Sequence, residues 1–170
     1  MAYTVLNVGK YAAKNVESYN KDVQATFDMP NGSFIALAGL VSGQNDVYAA
    51  TPVSDVTTQE VLLVHGPEVI EVDGLRVPLT DVSKFVNPAN RPVRAVHVKV
   101  GDDITLTSEG FSATPTVGKY AVPANGQLTL APADDLSGNT LIAFQVLEQT
   151  TIAVGQNRKT AYRLICVRSL

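Results

Sequence analysis

Two histidines, His65 and His97, are the only imidazoles in the chain, so any histidine-based acid/base centre or metal site must use one of them. The stretch VRAVHVKVGDDITLT, Val93 to Thr107, sets His97 ahead of Asp102 and Asp103. Such a group could bind a cation or move a proton, with Glu60, Glu68, Glu71 or Asp73 as further carboxylates. The spacing argues for a different role. Val96, Val98 and Val100 share one parity and His97 and Lys99 the other, so a strand here points His97 to solvent or to a subunit boundary. Adjacent aspartates alternate faces when extended, and one histidine with loose carboxylates is not a ligand spacing. Gly101-Asp102-Asp103 therefore reads as a corner, where aspartate is favoured because its side chain bonds nearby backbone amides.

The remaining reactive residues lead the same way. His65 lies in VHGPE, at a strand end before a Gly-Pro turn, and no GxSxG or other nucleophile-elbow context accompanies it. Cys166 is the single cysteine and sits in the apolar run LICV, which suits a small core residue. With one cysteine there is no intrachain disulfide and no zinc spacing. Gly110 and Gly118-Lys119 bracket FSATPTV, too many residues for a phosphate loop, and Tyr120 stands where a Ser or Thr would coordinate magnesium. Asp134-Asp135-Leu136-Ser137-Gly138 reads as an acidic turn and fits no EF-hand register. The expectation is no catalytic residue, no cofactor, no metal, and no enzyme.

The elements that would position these residues are short and β-type. Phe34 to Val41 (FIALAGLV) and Val61 to Val64 (VLLV) are apolar on both parities, as in strands buried on both faces. Val69 to Val72 and Leu75 to Val77 flank Asp73-Gly74, a dipeptide that accepts the positive φ of a type I′ hairpin turn. Lys119 to Val122 and Gln127 to Leu130 flank a second turn at Pro123-Ala124-Asn125-Gly126. Thr140 to Glu148 and Thr160 to Arg168 read as core strands joined through Gly155-Gln156-Asn157. Between the halves, PLTDVSKFVNPANRPVRA carries Pro78, Pro88 and Pro92 and reads as a connector with a helical turn at Asp81 to Val86. The fold expected is all-β, a small sandwich or barrel of short antiparallel strands. Residues 1–30 have no sustained period and form an extended N-terminal arm, lying across its own domain or a neighbouring subunit. Residues 31–170 form the β-domain, either undivided or split into two subdomains near Asn90.

Composition narrows the partners. The 170 residues are 45% hydrophobic and 17% charged with a formal net charge of -3, enough for a real core. The basic residues are dispersed, which argues against nucleic acid and anionic membrane. Phe and Tyr are scattered and Trp is absent, which argues against platforms that stack bases or sugars. No window approaches the roughly 20 apolar residues of a membrane helix, and the polar-interrupted start is not a signal peptide. A soluble protein is expected.

The order of segments NGSFIALAGLVSG, VLLVHGPEVIEVDG, NPANRPVRAVHVKVGDDITLTSEGF and VGKYAVPANGQLTLAP resembles the decoration, or cement, class of head-associated structural proteins of tailed bacteriophages. The resemblance runs over most of Asn31 to Leu170 and carries no shared site motif. It implies a virion protein made in the host cytoplasm, bound to the capsid exterior through the major capsid protein, and reinforcing capsomer contacts as a homo-oligomer, a trimer in preference to a dimer. Edge strands in such folds need a cover, and another subunit supplies one. The contact residues expected are Tyr3, Leu6 and Tyr11 in the arm and Phe85, Pro88 and Arg91 in the connector. Two alternatives remain open. A receptor- or glycan-binding β-domain of a fibre or tail would use Gly43 to Thr51 or Gly155 to Lys159, and a small hydrolase or isomerase would gather His65 or His97 with carboxylates in a pocket.

Overall fold

A computed structural model of the chain describes residues 2–72 and 75–170. It is all-β. In chain order the strands are β1 Leu6–Val8, β2 Asn20–Gln24, β3 Phe34–Leu40, β4 Val47–Thr51, β5 Val61–Val64, β6 Val69–Val72, β7 Leu75–Pro78, β8 Val93–His97, β9 Asp103–Thr107, β10 Tyr120–Pro123, β11 Leu130–Ala133, β12 Ala143–Val154 and β13 Asn157–Arg168. The helical pieces among the described residues are 3-10 turns of three residues. None is long and apolar enough to cross a membrane.

Two larger sheets carry the fold. Strands β2-β4-β3-β5-β8 close into a barrel, and β1-β9-β13-β12-β10-β11 form an open antiparallel sheet. The two-sided apolar runs explain how they meet. Along β3, Phe34 and Ala36 join the core shared with the open sheet, while Ile35 between them joins a second core with Val23, Leu62, Val64, Val93 and Ala95. Along β5, Val61 and Leu63 take the shared core and Leu62 and Val64 the second. Alternate side chains of one strand thus fill the barrel and glue its wall to the sheet, which is why these runs show no polar parity. From the sheet side, Tyr162, Leu164 and Cys166 of β13 and Phe144 and Val146 of β12 complete the seam, where the rings of Phe34 and Phe144 pack edge to face at 5.6 Å.

Several expectations need correction. The barrel includes a parallel pair, β2 with β4, because the loop after β2 and then β3 serve as the crossover that a parallel neighbour requires. FIALAGLV is buried only as far as Ala36; from Ala38 to Leu40 the strand rises out of the fold, past a register shift, on its hairpin with β4. Strand β12 starts at Ala143 and runs to Val154, and β13 already begins at Asn157, so this hairpin is far longer than its apolar core segment. A bulge between Val146 and Glu148 marks where it leaves the core. The Pro-Ala-Asn-Gly turn does join two antiparallel strands, with Gly126 at φ 73°, but β11 starts at Leu130 opposite Pro123. Strands β6 and β7 pair antiparallel as a separate two-stranded sheet; their turn residues Asp73 and Gly74 lie outside the described residues.

Two segments of residues 2–30 pair with strands of the sheets. Leu6–Val8 pairs with β9 at the edge of the open sheet, and Asn20–Gln24 closes the barrel between β4 and β8. The change from barrel to sheet falls between β8 and β9, past His97, since the chain after the proline-rich connector returns to the barrel as β8.

Candidate interaction site

The Gly101 corner is built as its residues require. Gly101 takes φ 95°, a conformation that favours glycine, and Asp102 is buried behind it. One Asp102 carboxylate oxygen accepts the backbone N–H of Ala12 at 2.8 Å and the other that of Lys99 at 2.7 Å. The carboxylate therefore pins residue 12 to the turn. Asp103 points the other way, where Arg163 donates to it from Nε and from Nη2, the latter at 2.6 Å. The two aspartates do not converge. Among the described residues no group of three or more His, Cys, Asp or Glu side chains could hold a metal ion.

His97 is less exposed than its parity suggests. Its Nδ1 lies 2.7 Å from Glu60 Oε1 and its side chain is 12% exposed. Tyr19 covers it, with ring centroids 6.3 Å apart, and Lys99 Nζ lies over the Tyr19 ring, 5.1 Å from its centroid. The cover comes from the N-terminal segment crossing β8, a long-range contact that parity cannot report. Cys166 is buried in the seam, and burial pushes its thiol up to about 12, so it is an inert core residue. Asp135 accepts Ser137 N–H and Oγ–H, the acidic turn expected, and those bonds hold its carboxyl below the usual range. Asp55 with Thr57 and Asp81 with Ser83 repeat the arrangement.

The expected contact residues are more informative together than singly. Tyr11, Phe85, Pro88 and Arg91 all line one cleft of about 920 Å³ between the β6–β7 hairpin and the barrel wall at β2 and β8. Tyr3 lies nearby, with its N–H bonded to the Ser83 carbonyl at 2.7 Å. Leu6 pairs with Leu106 in register and packs into the protein's own core.

Buried amides hold the cleft in shape. Asn31 brackets the backbone of Gly66, accepting its N–H and donating to its carbonyl, both at 2.9 Å. Asn87 donates to Asn31 Oδ1 at 3.0 Å and to the Met29 carbonyl at 2.7 Å, and the backbones of Met29 and Asn87 exchange bonds in both directions. A Cβ on Gly66 would stand 2.8 Å from Asn87 Oδ1 and 2.6 Å from Val93, so glycine is required there for close approach rather than for backbone freedom. Sequence reasoning found the turn at Asn31-Gly32 but not the role of the Asn31 side chain. The available signal was the pair of asparagines in turn contexts, Asn31-Gly32 and Asn87-Pro88, around Gly66-Pro67.

Charge in the cleft is one-sided. Arg76, Arg91 and Arg94, three of the chain's six arginines, line it, and Asp22 is the acidic residue among the described lining. Val69 and Ile70 of β6 add exposed apolar surface. His65 stands at the edge, its N–H bonded to the Arg94 carbonyl and its Nδ1 3.4 Å from Tyr11 Oη. Burial, reinforced by the Arg94 charge, holds the imidazole below its ordinary pKa, so it is neutral at pH 7. Among the described residues no Ser, Thr or Cys side chain hydrogen-bonds either histidine. The cleft is equipped to hold something, by charge and shape.

No protein-family model matches the sequence, and no curated protein matches it. Among solved structures, the chain is similar to the crystal structure of the head fiber gp8.5 N base in bacteriophage phi29, at 10% sequence identity and a TM-score of 0.41, covering 89% of this chain and 96% of that one.

Proposed function

We propose that this chain is a non-enzymatic structural protein of a tailed-phage virion that binds the outside of the assembled capsid and stabilises capsomer contacts. The observation that carries the reading is the convergence of Tyr11, Phe85, Pro88 and Arg91 on one cleft with a preorganised floor and a one-sided charge. The arrangement serves binding: its cationic side chains are arginines, which recognise planar anions, and among the described residues its histidine has no hydrogen-bonded nucleophile. The resemblance to the cement class implies the partner, the major capsid protein, and a trimer on the capsid exterior. Neither a cofactor nor nucleic acid is required for this role.

The test is light scattering of the purified protein, then co-sedimentation with capsids lacking their decoration. A defined oligomer that sediments with capsids at saturable stoichiometry, and raises their melting temperature, supports the reading. A monomer that ignores capsids overturns it. The projecting end of the β12–β13 hairpin favours one other reading, a receptor- or glycan-binding domain using Gly155 to Lys159, and glycan-array binding without capsid binding would establish it.

A further inference from the structure

We infer that the arginine-lined cleft receives an extended acidic peptide segment of a protein partner, laid along the β6–β7 hairpin. Three independent features select that occupant. Two exposed guanidinium groups, those of Arg76 and Arg94, stand against Asp22 among the described lining, in a chain of formal net charge -3, and make this a local positive site on an acidic molecule. Arg76 and Arg94 are exposed and belong to opposite walls, β7 and β8, so carboxylates spaced along one segment can reach both. Among the described residues the hairpin is a sheet of two strands, so each strand has an outer edge without a ladder partner there, and an extended backbone is the ligand that completes such an edge.

The apolar parts agree. Val69 is 36% and Ile70 37% exposed on the cleft side, enough to pack the aliphatic side chains of a passing segment. A volume of about 920 Å³ suits several residues of extended chain rather than a single small anion. Nucleic acid fits less well, because its binding draws on a broad positive footprint, whereas this cleft is a positive spot on an acidic chain. The inference rests on the proposed assembly role only for who supplies the segment, namely the capsid surface.

The experiment measures fluorescence anisotropy of a labelled decapeptide alternating Glu and Val, on the full chain, at low and high salt. Saturable binding that weakens with salt is expected, while the same peptide with Lys for Glu does not bind. The double variant Arg76→Gln/Arg94→Gln should bind at least tenfold more weakly, and Arg158→Gln, at the far hairpin tip, should bind as the parent does. Asp22→Asn keeps the test independent of folding defects, since removing the opposing carboxylate should tighten binding several-fold. Failure of the parent to bind, equal binding by the double variant, or tighter binding of a single-stranded oligonucleotide of equal charge overturns the inference. Capsid co-sedimentation separates the two proposals. Capsid binding retained by the double variant leaves the assembly role standing and removes the cleft from it. Peptide binding without any capsid binding keeps the cleft as a peptide site and removes the assembly role.

Discussion

The seam between barrel and sheet and the cleft beside the β6–β7 hairpin meet at β8 and are built by opposite rules. In the seam, Phe34, Phe144 and Leu164 interlock by apolar contact, and the barrel wall contributes alternate residues to two cores at once. At the cleft, a thin apolar floor is fixed by asparagine side chains bonded to backbone, and the walls carry arginines and a hairpin with little support of its own. An isolated two-stranded hairpin is marginal in water, so the β6–β7 wall is where the molecule can give way without losing its core. Stability is concentrated in one region and binding capacity in the other.

The most direct way to break that contrast is to truncate one side chain on each side of it. Phe144→Ala removes a fully buried ring from the seam and should cost about 3–5 kcal/mol in urea unfolding. Ile70→Ala on the cleft wall should cost well under about 1 kcal/mol, as expected of a side chain that is partly exposed. Comparable losses at both sites would mean that the hairpin belongs to the core. Next in size, Asp102→Ala leaves two backbone N–H groups without their acceptor and should cost about 1–3 kcal/mol, with the Ala12 amide losing protection from hydrogen exchange. An unprotected Ala12 amide in the parent protein would refute the pin.

Acid sharpens the contrast further. His65 has its folded-state pKa depressed, so below about 6.5 the unfolded chain takes up a proton that the folded chain refuses. Stability should therefore fall as pH drops from 7 through that value, and His65→Asn should remove this part of the slope. Glu68 has the opposite sign, since burial, opposed by Asn31, raises its carboxyl, and its folded form keeps a proton that the unfolded chain releases as pH rises past 4.5. The difference between parent and His65→Asn isolates the imidazole. The smallest effect is expected at Arg163→Gln, where the ion pair with Asp103 is at the surface, and the melting temperature should move within error. A clear loss there would place the Asp103 side of the corner among the stabilising contacts.

What the sequence made legible follows from which forces leave a local trace. The two-sided runs at Phe34 to Ala36 and Val61 to Val64 announce double burial because hydrophobic burial is written residue by residue. Gly101 and the Asp102 acceptor are similarly local, a turn and its cap. Hidden from it were contacts whose partners lie far apart in the chain: Tyr19 over His97, Asn31 around Gly66, and the closing of the barrel by residues 20–24. The outer half of β12, Glu148 to Thr151, is equally silent, because those residues pair only with β13 and bury no apolar parity. For the cleft, the proline-rich connector and Tyr11 were visible as surface anchors, but their meeting point, and the three arginines around it, depend on the β6–β7 hairpin standing where it does.

The strand order of the open sheet also sets a timetable. Strand β13 follows every other strand of the fold in synthesis, yet it lies between β9 and β12, pairing with both. Until it emerges from the ribosome, β9 has only the three residues of β1 beside it, and the seam lacks Tyr162, Leu164 and Cys166. The barrel holds all its strands some sixty residues earlier, since β8 ends at His97 and β13 begins at Asn157. The nascent chain thus passes through a stage with a closed barrel whose outer wall, Phe34, Leu63 and Val96, is still waiting for its sheet. A ribosome that stops before residue 157 releases a chain whose apolar barrel wall is uncovered, which gives the cell's proteases and chaperones a clear mark of incompleteness.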